Sequence, residues 1–357
     1  MHVSKIVGLL ITICVGFGSA HFLLKRTERN KQAQSESHNP IGVVSVTPRY
    51  EYGKYSFDDV AVLERGEIWG VGYDGKDPNR IYHSTDSGNH WETISIPGSG
   101  FSLKALSFPD GQHGWVVGGY GSVLRTSDGG KSWSQLERPT GSDLHAVHFL
   151  NPLVGYAAGR TGTKDPKTGA ETHGIEILCT KDGGEAWRRC YQDDESFSVF
   201  QIATTSESRA FVSLVDRLMR TDNQGETWQQ VDLSAKYISS IAFAPDGTGW
   251  LVGSHGVFQH SIDDGKTWQQ SSSLTQDFVN RDWWAIAFNS SGIGLAVGEN
   301  STLALTTDNG KTWELQTSIK SDHLRAIRMQ GSRAVILGAQ NAYSIEVSLA
   351  NTQQVKR

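Results

Sequence analysis

The chain has 357 residues, with 39 Gly, only 9 Pro, and 11 Trp, 10 Tyr and 13 Phe, a composition typical of a packed, turn-rich globular protein. Its 33 Lys and Arg against 38 Asp and Glu give a formal net charge of −5. It therefore has no basic excess to neutralise phosphates, and we expect no nucleic-acid partner. Three cysteines without a C-x-x-C spacing exclude a structural zinc site, and we expect no cofactor.

The N-terminal segment is predicted to direct the protein to a membrane. Residues 6–24 (IVGLLITICVGFGSAHFLL) carry no charge apart from the titratable His21, and a run of this length suffices to cross about 30 Å of hydrocarbon. We interpret residues 1–24 as a signal-anchor or signal peptide and the polar residues 25–40 as a stem. The rest of the chain is then expected to be membrane-anchored through 6–24 and extracytoplasmic, in the periplasm, a lumen or the exterior.

Two features of this segment leave alternatives open. Gly18 and Ala20 fit the −3 and −1 positions of a signal-peptidase site, so secretion after cleavage near Ala20 is the alternative to an anchor. Four basic residues follow the apolar run closely and only Lys5 precedes it. The positive-inside rule would on that count keep the C-terminal side in the cytoplasm, but we favour the anchored, extracytoplasmic arrangement.

An octapeptide with the pattern Ser/Thr-x-Asp-x-Gly-x-x-Trp recurs six times, as in residues 126–133 (TSDGGKSW) and 306–313 (TTDNGKTW). We predict a tight turn in which the Asp and Ser/Thr side chains bond backbone N–H groups, Gly takes a positive φ, and Trp packs between repeats. The third position of each turn offers at most one carboxylate, too few for calcium, so no metal is expected. The third position holds Asp86, Asp128, Asp182, Asn223, Asp263 and Asp308, and the eighth holds Trp91, Trp133, Trp187, Trp228, Trp268 and Trp313.

The repeat extends to seven units, because columns of apolar and glycine residues before each octapeptide recur once more after the sixth. Each unit reads as four short strands, A to D, with the octapeptide between C and D. This predicts an all-β fold, a single seven-bladed β-propeller of four-stranded antiparallel blades over residues 41–350, with 351–357 as a tail. The last unit lacks strand D, so we expect residues 41–48 (IGVVSVTP) to supply it and close the ring.

The candidate binding surface is the propeller face formed by the B–C and D–A loops, opposite the octapeptide turns. These loops vary in sequence and include a long insertion from Arg160 to Gly174, and variable loops on a rigid scaffold are where binding sites concentrate. Their cations predict a positive patch with Tyr120, Trp283 and Trp284 as apolar anchors, although a merely solvated loop surface is the alternative. The candidate charged residues are Lys76, Arg80, Arg160, Lys164, Lys167, Arg217, Arg281 and His323.

Two cysteines flank the third octapeptide. If the hairpin is centred between Gly184 and Glu185, Cys179 and Cys190 lie opposite each other on strands C and D. An exported protein can form a disulfide there, and two buried free thiols are the alternative.

The octapeptide resembles the Asp-box, or BNR, repeat, and the segment GWVVGGYGSVLRTSDGGKSW makes the chain most similar to the photosystem II stability/assembly factor family from about Phe57 to Leu349. The resemblance implies a seven-bladed, exported propeller that binds membrane-protein partners and is not an enzyme. That family's partner site is an arginine-rich patch. Because no contiguous arginine motif in this sequence matches that patch, we assign none of its residues to the family's partner site.

The rival hypothesis is a glycoside hydrolase, sialidase-like or glucanase-like, acting on an extracytoplasmic glycan. Sialidases carry a Phe/Tyr-Arg-Ile-Pro motif, which is missing from the sequence PNRIYHS before the first box. Asp-box glucanases usually use two propellers and paired carboxylates, and this chain has length for one propeller. Asp282 is the single acidic residue that this hypothesis singles out, and we predict no catalytic residues.

Overall fold

The structure is a computed structural model that describes residues 41–51, 56–63, 66–73, 80–94, 96, 101–164, 171–196, 198–271, 274–316, 323–338 and 341–349. The predicted signal-anchor, stem and tail lie outside these residues. Within the described part, no helix is long and apolar enough to cross a membrane. Residues 43–347 form one compact unit, and residues 1–42 with 348–357 form a second, of which only the ends of two strands are described.

The compact unit is a seven-bladed propeller. All seven sheets have four strands, and the innermost strand of each contacts the innermost strand of the next, including the last with the first. Blades one to three contain β2 (Ser56–Val62), β3 (Ile68–Tyr73), β4 (Arg80–Ser84) and β5 (Glu92–Ile94); β6 (Leu103–Ser107), β7 (Gly114–Gly118), β8 (Val123–Thr126) and β9 (Ser134–Gln135); and β10 (Asp143–Phe149), β11 (Gly155–Lys164), β12 (Glu171–Thr180) and β13 (Arg188–Asp193).

The remaining blades repeat this order. They contain β14 (Val199–Thr204), β15 (Ala210–Leu214), β16 (Leu218–Thr221) and β17 (Gln229–Val231); β18 (Ile238–Phe243), β19 (Gly249–Gly253), β20 (Phe258–Ser261) and β21 (Gln269–Gln270); β22 (Trp283–Phe288), β23 (Gly294–Gly298), β24 (Leu303–Thr306) and β25 (Glu314–Gln316); and β26 (Leu324–Gln330), β27 (Arg333–Gly338), β28 (Asn341–Leu349) and β1 (Ile41–Glu51). A short helix α1 (Gln276–Val279) precedes β22.

The ring closes with a strand from the start of the described chain. The last sheet has the order β1-β28-β27-β26, so β1 forms its outer edge beside β28. The predicted closing strand is therefore present, and it continues to Glu51, beyond the predicted end at Pro48. Pairing with β1 covers the edge of β28 and joins the two ends of the repeat array in one sheet.

Adjacent blades are joined near the axis by side-chain hydrogen bonds. Most of these side chains lie on the innermost strands and bond a backbone or side-chain group of the neighbouring blade, so each interface in the ring has at least one polar contact. The pairs are Leu106 N–H with Asp59, Phe149 N–H with Ser107, His148 with Thr204, Ile241 N–H with Gln201, Ile286 N–H with Ser240, the Asn289 amide with the Gly331 carbonyl, and Arg328 with Asp59.

Farther from the axis, Asp-box turns pack on strand-B aromatics of the preceding blade. A Cβ on Gly130 would meet the Trp69 ring at 2.3 Å, and one on Gly310 would meet the Trp250 ring at the same distance. Both glycines also have positive φ, +80° and +89°. The box glycine is thus required for its conformation and for the close approach of the next blade.

The Asp boxes satisfy their own polar groups. In the second box, Gly130 N–H donates to Thr126 Oγ1 at 2.9 Å and Ser132 N–H donates to Asp128 Oδ1 at 3.0 Å, and the other five boxes repeat both contacts. Hydrogen bonds from the residue four positions later, chiefly from the His90 N–H to Asp86 and from the Ser132 hydroxyl to Asp128, hold the pKa of the two carboxyls at about 2, because hydrogen bonds to the charged form favour it. The carboxylates are structural, as predicted from the sequence.

Asn223 replaces Asp in the fourth box without breaking the turn. Its Oδ1 accepts Thr227 N–H at 2.9 Å, as an Asp oxygen would, and its amide Nδ2 donates to Thr227 Oγ1. In the sixth box that contact has the opposite direction, since the Thr312 hydroxyl donates to Asp308. Among the described residues no cluster of three or more His, Cys, Asp or Glu could hold a metal ion.

Blade three departs from the sequence-based interpretation in two ways. The insertion predicted as a loop continues β11 and β12, which pair from Gly155 with Thr180 to Lys164 with Glu171. Cys179 and Cys190 form a disulfide, but they are not directly opposite: Cys179 pairs with Arg188, and a register shift leaves Cys190 unpaired in the ladder. The bulge arises in the tertiary ladder and leaves no signal in the spacing of the cysteines.

Candidate functional site

The mouth of the central cavity carries one side chain from each blade. Every innermost strand has a register shift at the same position, four residues before the column that holds Val62 and Phe108, and a residue bulged out of a ladder can aim its side chain elsewhere. These seven residues line a cavity of about 720 Å³ along the propeller axis. They are Asp58, Lys104, His145, Phe200, Ser239, Trp284 and Arg325.

The mouth has a charged side and an aromatic side. Arg325, Asp58, Lys104 and His145 come from consecutive blades, and Lys104 Nζ lies 3.6 Å from Asp58 Oδ1. Burial raises the pKa of Asp58 and lowers that of His145, as expected when desolvation disfavours the charged forms. On the other side, Phe200 and Trp284 flank the blade that carries Ser239, and Phe200 is 40% exposed.

Below the mouth, the polar groups are paired with one another. Arg328 Nη2 lies 2.7 Å from Asp59 Oδ1, and Asp59 also bonds the N–H groups of Val60 and Leu106. Burial lowers the pKa of His148 to about 4, so its ring is neutral at pH 7 and its Nε2 lies 2.8 Å from Thr204 Oγ1. These groups join blades and leave no pair of facing carboxylates for glycosidase chemistry among the described lining residues.

The loop face, meaning the surface of the B–C and D–A loops around this mouth, also exposes aromatic rings. Four of the six exposed large apolar side chains in the described chain lie on it: Tyr73, Tyr120, Phe200 and Tyr237. The other two, Leu153 and Ile262, are on the opposite face beside the box turns. Large exposed aromatics concentrated on one face are typical of binding surfaces.

Tyr120 is held outward by its turn. It has a φ of 54°, uncommon for a bulky residue, and its N–H donates to Asp143 Oδ1 at 2.8 Å. Its ring packs edge-on against Phe101, 5.5 Å between centroids, and the Arg138 guanidinium lies 4.0 Å from the centre of the Phe101 ring. The tyrosine is 63% exposed, so strain and hydrogen bonding present it to solvent rather than to the core.

Blade five repeats this arrangement with different residues. His255 has a φ of 58°, its N–H donates to Asp282 Oδ1 at 2.6 Å, and its ring lies 5.4 Å from that of Tyr237. Asp282, the acidic residue that a hydrolase hypothesis singles out, therefore anchors a loop in the same way as Asp143. The sequence alone could have predicted that the two aspartates have the same role, because each stands six residues before the innermost-strand phenylalanine of its blade.

Two of the predicted cations bond groups of the protein itself. Arg217 bonds Asp216 at 2.8 Å and lies 3.5 Å from Glu195. Arg281 donates to the Asp277 carbonyl and to Thr302 Oγ1. Asp216 and Glu195 offset the charge of Arg217, whereas the groups that Arg281 bonds are neutral, and the binding role of both residues stays a prediction.

The other predicted cations differ in their exposure and in how much of each residue is described. Arg160 and His323 are exposed and Arg80 is half-buried. Lys164 ends β11, with only its backbone described, and Lys76 and Lys167 lie outside the described residues. For these positions the binding role stays a prediction.

Trp283 is not a surface anchor. It is 0% exposed, its Nε1 donates to the Phe278 carbonyl at 3.0 Å, and its ring packs on Phe258 and Phe278. The segment before it, predicted as an open loop, contains α1, whose Phe278 is buried. The neighbouring Trp284 lines the cavity mouth instead. Strand alternation together with the bulge in β22 determines which of the two tryptophans faces the cavity.

Comparison with known proteins agrees with the fold. Residues 92–164 and 235–320 match a family described as photosynthesis system II assembly factor YCF48. The photosystem II assembly lipoprotein Ycf48 of Synechococcus sp. strain CC9902 is 27% identical over 202 residues, covering 55% of this chain and 57% of its own length. The chloroplastic stability/assembly factor HCF136 of Arabidopsis thaliana is 29% identical over 86 residues, covering 23% of this chain and 21% of its own.

Among solved structures, one described as YCF48 bound to D1 peptide has a TM-score of 0.65 at 20% identity, covering 87% of this chain and 98% of that one. The chain thus spans the propeller of that structure, but its alignments span only about a fifth to three fifths of the two curated relatives above.

The fold and the boxes define this chain as a BNR-repeat β-propeller, with seven four-stranded blades closed by an N-terminal strand. Within that class its sequence is similar to photosystem II assembly factors, and the relatives that it resembles are named as assembly or stability factors.

Proposed function

We propose that this protein is a non-catalytic, assembly-factor-like propeller that binds a membrane protein, or a membrane-bound complex, through the loop face. The observation that carries the proposal is the concentration of exposed aromatics, Tyr73, Tyr120, Phe200 and Tyr237, around the cavity mouth. Names of the relatives support the same role, and one related propeller has been solved with a D1 peptide.

The carboxylates of the loop face favour binding over hydrolysis. Asp143 and Asp282 accept backbone N–H groups of neighbouring turns. Asp58 pairs with Lys104, and Asp59 pairs with Arg328. Retaining glycosidases need a nucleophile and an acid about 5 Å apart with access to substrate, whereas each of these carboxylates serves the scaffold.

The proposal predicts that aromatic truncation weakens partner binding. In a Tyr120→Ala/Tyr237→Ala variant, recovery of the membrane partner from detergent-solubilised membranes is expected to fall by about tenfold or more, because interface tyrosines are frequent hot spots. Recovery is measured by quantitative mass spectrometry of co-purified proteins. The matched control is Leu153→Ala/Ile262→Ala, which removes exposed apolar side chains from the opposite face. Equal recovery by both variants contradicts the proposal.

We further propose that residues 6–24 hold the protein in a membrane and that the propeller is extracytoplasmic. The apolar run supports the anchor, and the Cys179–Cys190 disulfide supports an oxidising compartment. Protease added to intact spheroplasts is expected to digest the propeller, and detergent-opened spheroplasts serve as the control for protease activity. Protection until the membrane is opened contradicts this orientation. A mature N-terminus at His21 would replace the anchor by cleavage and secretion.

A further inference from the structure

Blade three carries a two-stranded arm that extends past its own sheet. The arm consists of Thr161–Lys164 of β11 and Glu171–Gly174 of β12, which pair residue by residue from Thr161 with Gly174 to Lys164 with Glu171. No described strand of blade three flanks the arm on either side: β10 begins at Asp143, opposite Arg160, and β13 ends at Asp193, opposite Ile175. A free two-stranded ribbon is only marginally stable, and its unpaired N–H and C=O groups are a template for another strand.

A buried ion pair, a hydrogen bond and a disulfide hold the strands from which the arm extends. Glu176 of β12 is fully buried, lies 2.7 Å from Arg189 Nε and accepts the Thr140 hydroxyl. The Cys179–Cys190 disulfide joins β12 to β13 at the other end of the blade. A buried carboxylate needs such partners to offset its desolvation, and together these contacts fix the direction in which the arm leaves the sheet.

The two edges of the arm differ in their surroundings. On the outer side, Gly174 lies so close to the end of β13 that a Cβ there would meet the Asp193 carbonyl at 2.4 Å. The inner edge, Thr161–Lys164, continues the side of β11 that pairs with β10, the strand nearest the axis. No described strand lies beside that inner edge.

Charge at the base of the inner edge favours an acidic occupant. Arg160 is exposed, and its charge acts on His145 at the cavity mouth together with that of Lys104 and against that of Asp143. Asp143 is the cross-strand neighbour of Arg160, and its carboxylate already accepts the Tyr120 N–H. Lys164 ends the same strand. Complementary charge selects partners and speeds their encounter, while main-chain hydrogen bonds supply the affinity in strand addition.

We infer that the inner edge Thr161–Lys164 binds an extended, carboxylate-bearing segment of the membrane partner by β-strand addition. The inference rests on the proposed function, because it names the form of the partner segment and its place beside the mouth. The braced base presents the edge in a fixed geometry, and the incoming strand continues the line of β10 beyond Asp143.

Hydrogen exchange of the arm amides tests the inference directly. In the free protein, the N–H groups of Thr161–Lys164 that point away from β12 should exchange rapidly, and in the complex purified with its membrane partner they should exchange at least about tenfold more slowly. The measurement is mass spectrometry with single-residue fragmentation. Unchanged exchange of all four amides in the complex overturns the inference.

A shortened hairpin provides the second arm of the test. Replacing residues 162–173 by Asn-Gly connects the cross-strand pair Thr161 and Gly174 through a two-residue hairpin turn and leaves the rest of blade three paired. Recovery of the partner is expected to fall about tenfold, with the thermal midpoint within about 2 °C of the parent. Parental recovery by the shortened chain overturns the inference, and the proposed function then still stands or falls on the Tyr120→Ala/Tyr237→Ala variant.

The matched control keeps the edge and removes its charge. An Arg160→Gln/Lys164→Gln variant should lose only a few-fold in recovery, through slower encounter, and should retain the slowed exchange in the complex. Loss of both recovery and protection in this variant means that charge alone recognises the partner, which also overturns strand addition. If the parent itself recovers no membrane protein, the proposed function fails and the inference fails with it.

Discussion

A full-length chain that lacks residues 41–47 is expected to unfold at a much lower temperature than the parent. These residues belong to β1, the outer strand of the last blade, and their removal leaves β28 as an unpaired edge. Loss of about five ladder hydrogen bonds, each with a net value of about 1 kcal/mol, amounts to about 5 kcal/mol. That is comparable with the total stability of many domains, about 5–15 kcal/mol, and thermal unfolding followed by circular dichroism measures it.

The control for this deletion removes the same number of residues just before the strand. A chain without residues 33–39 loses part of the predicted stem and keeps β1, so its midpoint should match that of the parent. Edge exposure adds a second readout, because an unpaired β28 should make the first variant aggregate at concentrations where the control stays monomeric. Equal midpoints for the two deletions would show that β1 does not close the ring.

Closure could be predicted because it depends on counting strands within a repeat. The seventh unit is one strand short, and residues 41–48 are rich in β-branched side chains, as strands are, yet belong to no unit. The Asp boxes were predictable for a related reason: their hydrogen bonds lie within five consecutive residues, from Thr126 to Gly130 and from Asp128 to Ser132 in the second box. A turn whose hydrogen bonds join residues this close in the chain can be predicted from a short stretch of sequence.

The candidate site depends on strand bulges and on contacts between loop residues, and these were less predictable. Whether Trp283 or Trp284 faces the cavity depends on a bulge in β22, which exists only in the ladder with β23. The sequence marks Arg217 as a candidate binding residue but does not show its pairing with Asp216 and Glu195. Such pairings depend on the path of loops rather than on the period of strands, so the pattern of apolar residues does not report them.

The blade-three arm is a second feature that the local sequence does not predict. Its sequence, RTGTKDPKTGAETHG, contains glycine, proline and charged residues and has the composition of a loop, and it was predicted as one. Strand structure continues into it as far as Lys164 on β11 and from Glu171 on β12. Ladder propagation from the well-paired segments at Gly155 and Thr180 therefore outweighs weak local β-propensity, as often happens when tertiary context decides.

The second large effect is expected for Trp115→Ala in blade two. The Trp115 side chain is 0% exposed, its ring stacks on Phe149 with 3.6 Å between centroids, and its Nε1 donates to the Gly183 carbonyl at 2.9 Å. Truncation removes the ring between two blades and leaves that carbonyl without its donor. Large-to-small changes of this kind cost about 3–5 kcal/mol, measurable as a fall in the free energy of urea unfolding.

Trp115→Phe separates the two contributions at this interface. Phenylalanine keeps an aromatic ring for stacking on Phe149 but has no N–H, so the cost should be smaller, about 1–3 kcal/mol for the unsatisfied Gly183 carbonyl plus the lost volume. Because Trp115 and the third box lie away from the loop face, neither variant should change partner recovery per folded molecule. A Trp115→Ala cost below about 1 kcal/mol, typical of a surface position, would contradict the role of the strand-B aromatic in joining neighbouring blades.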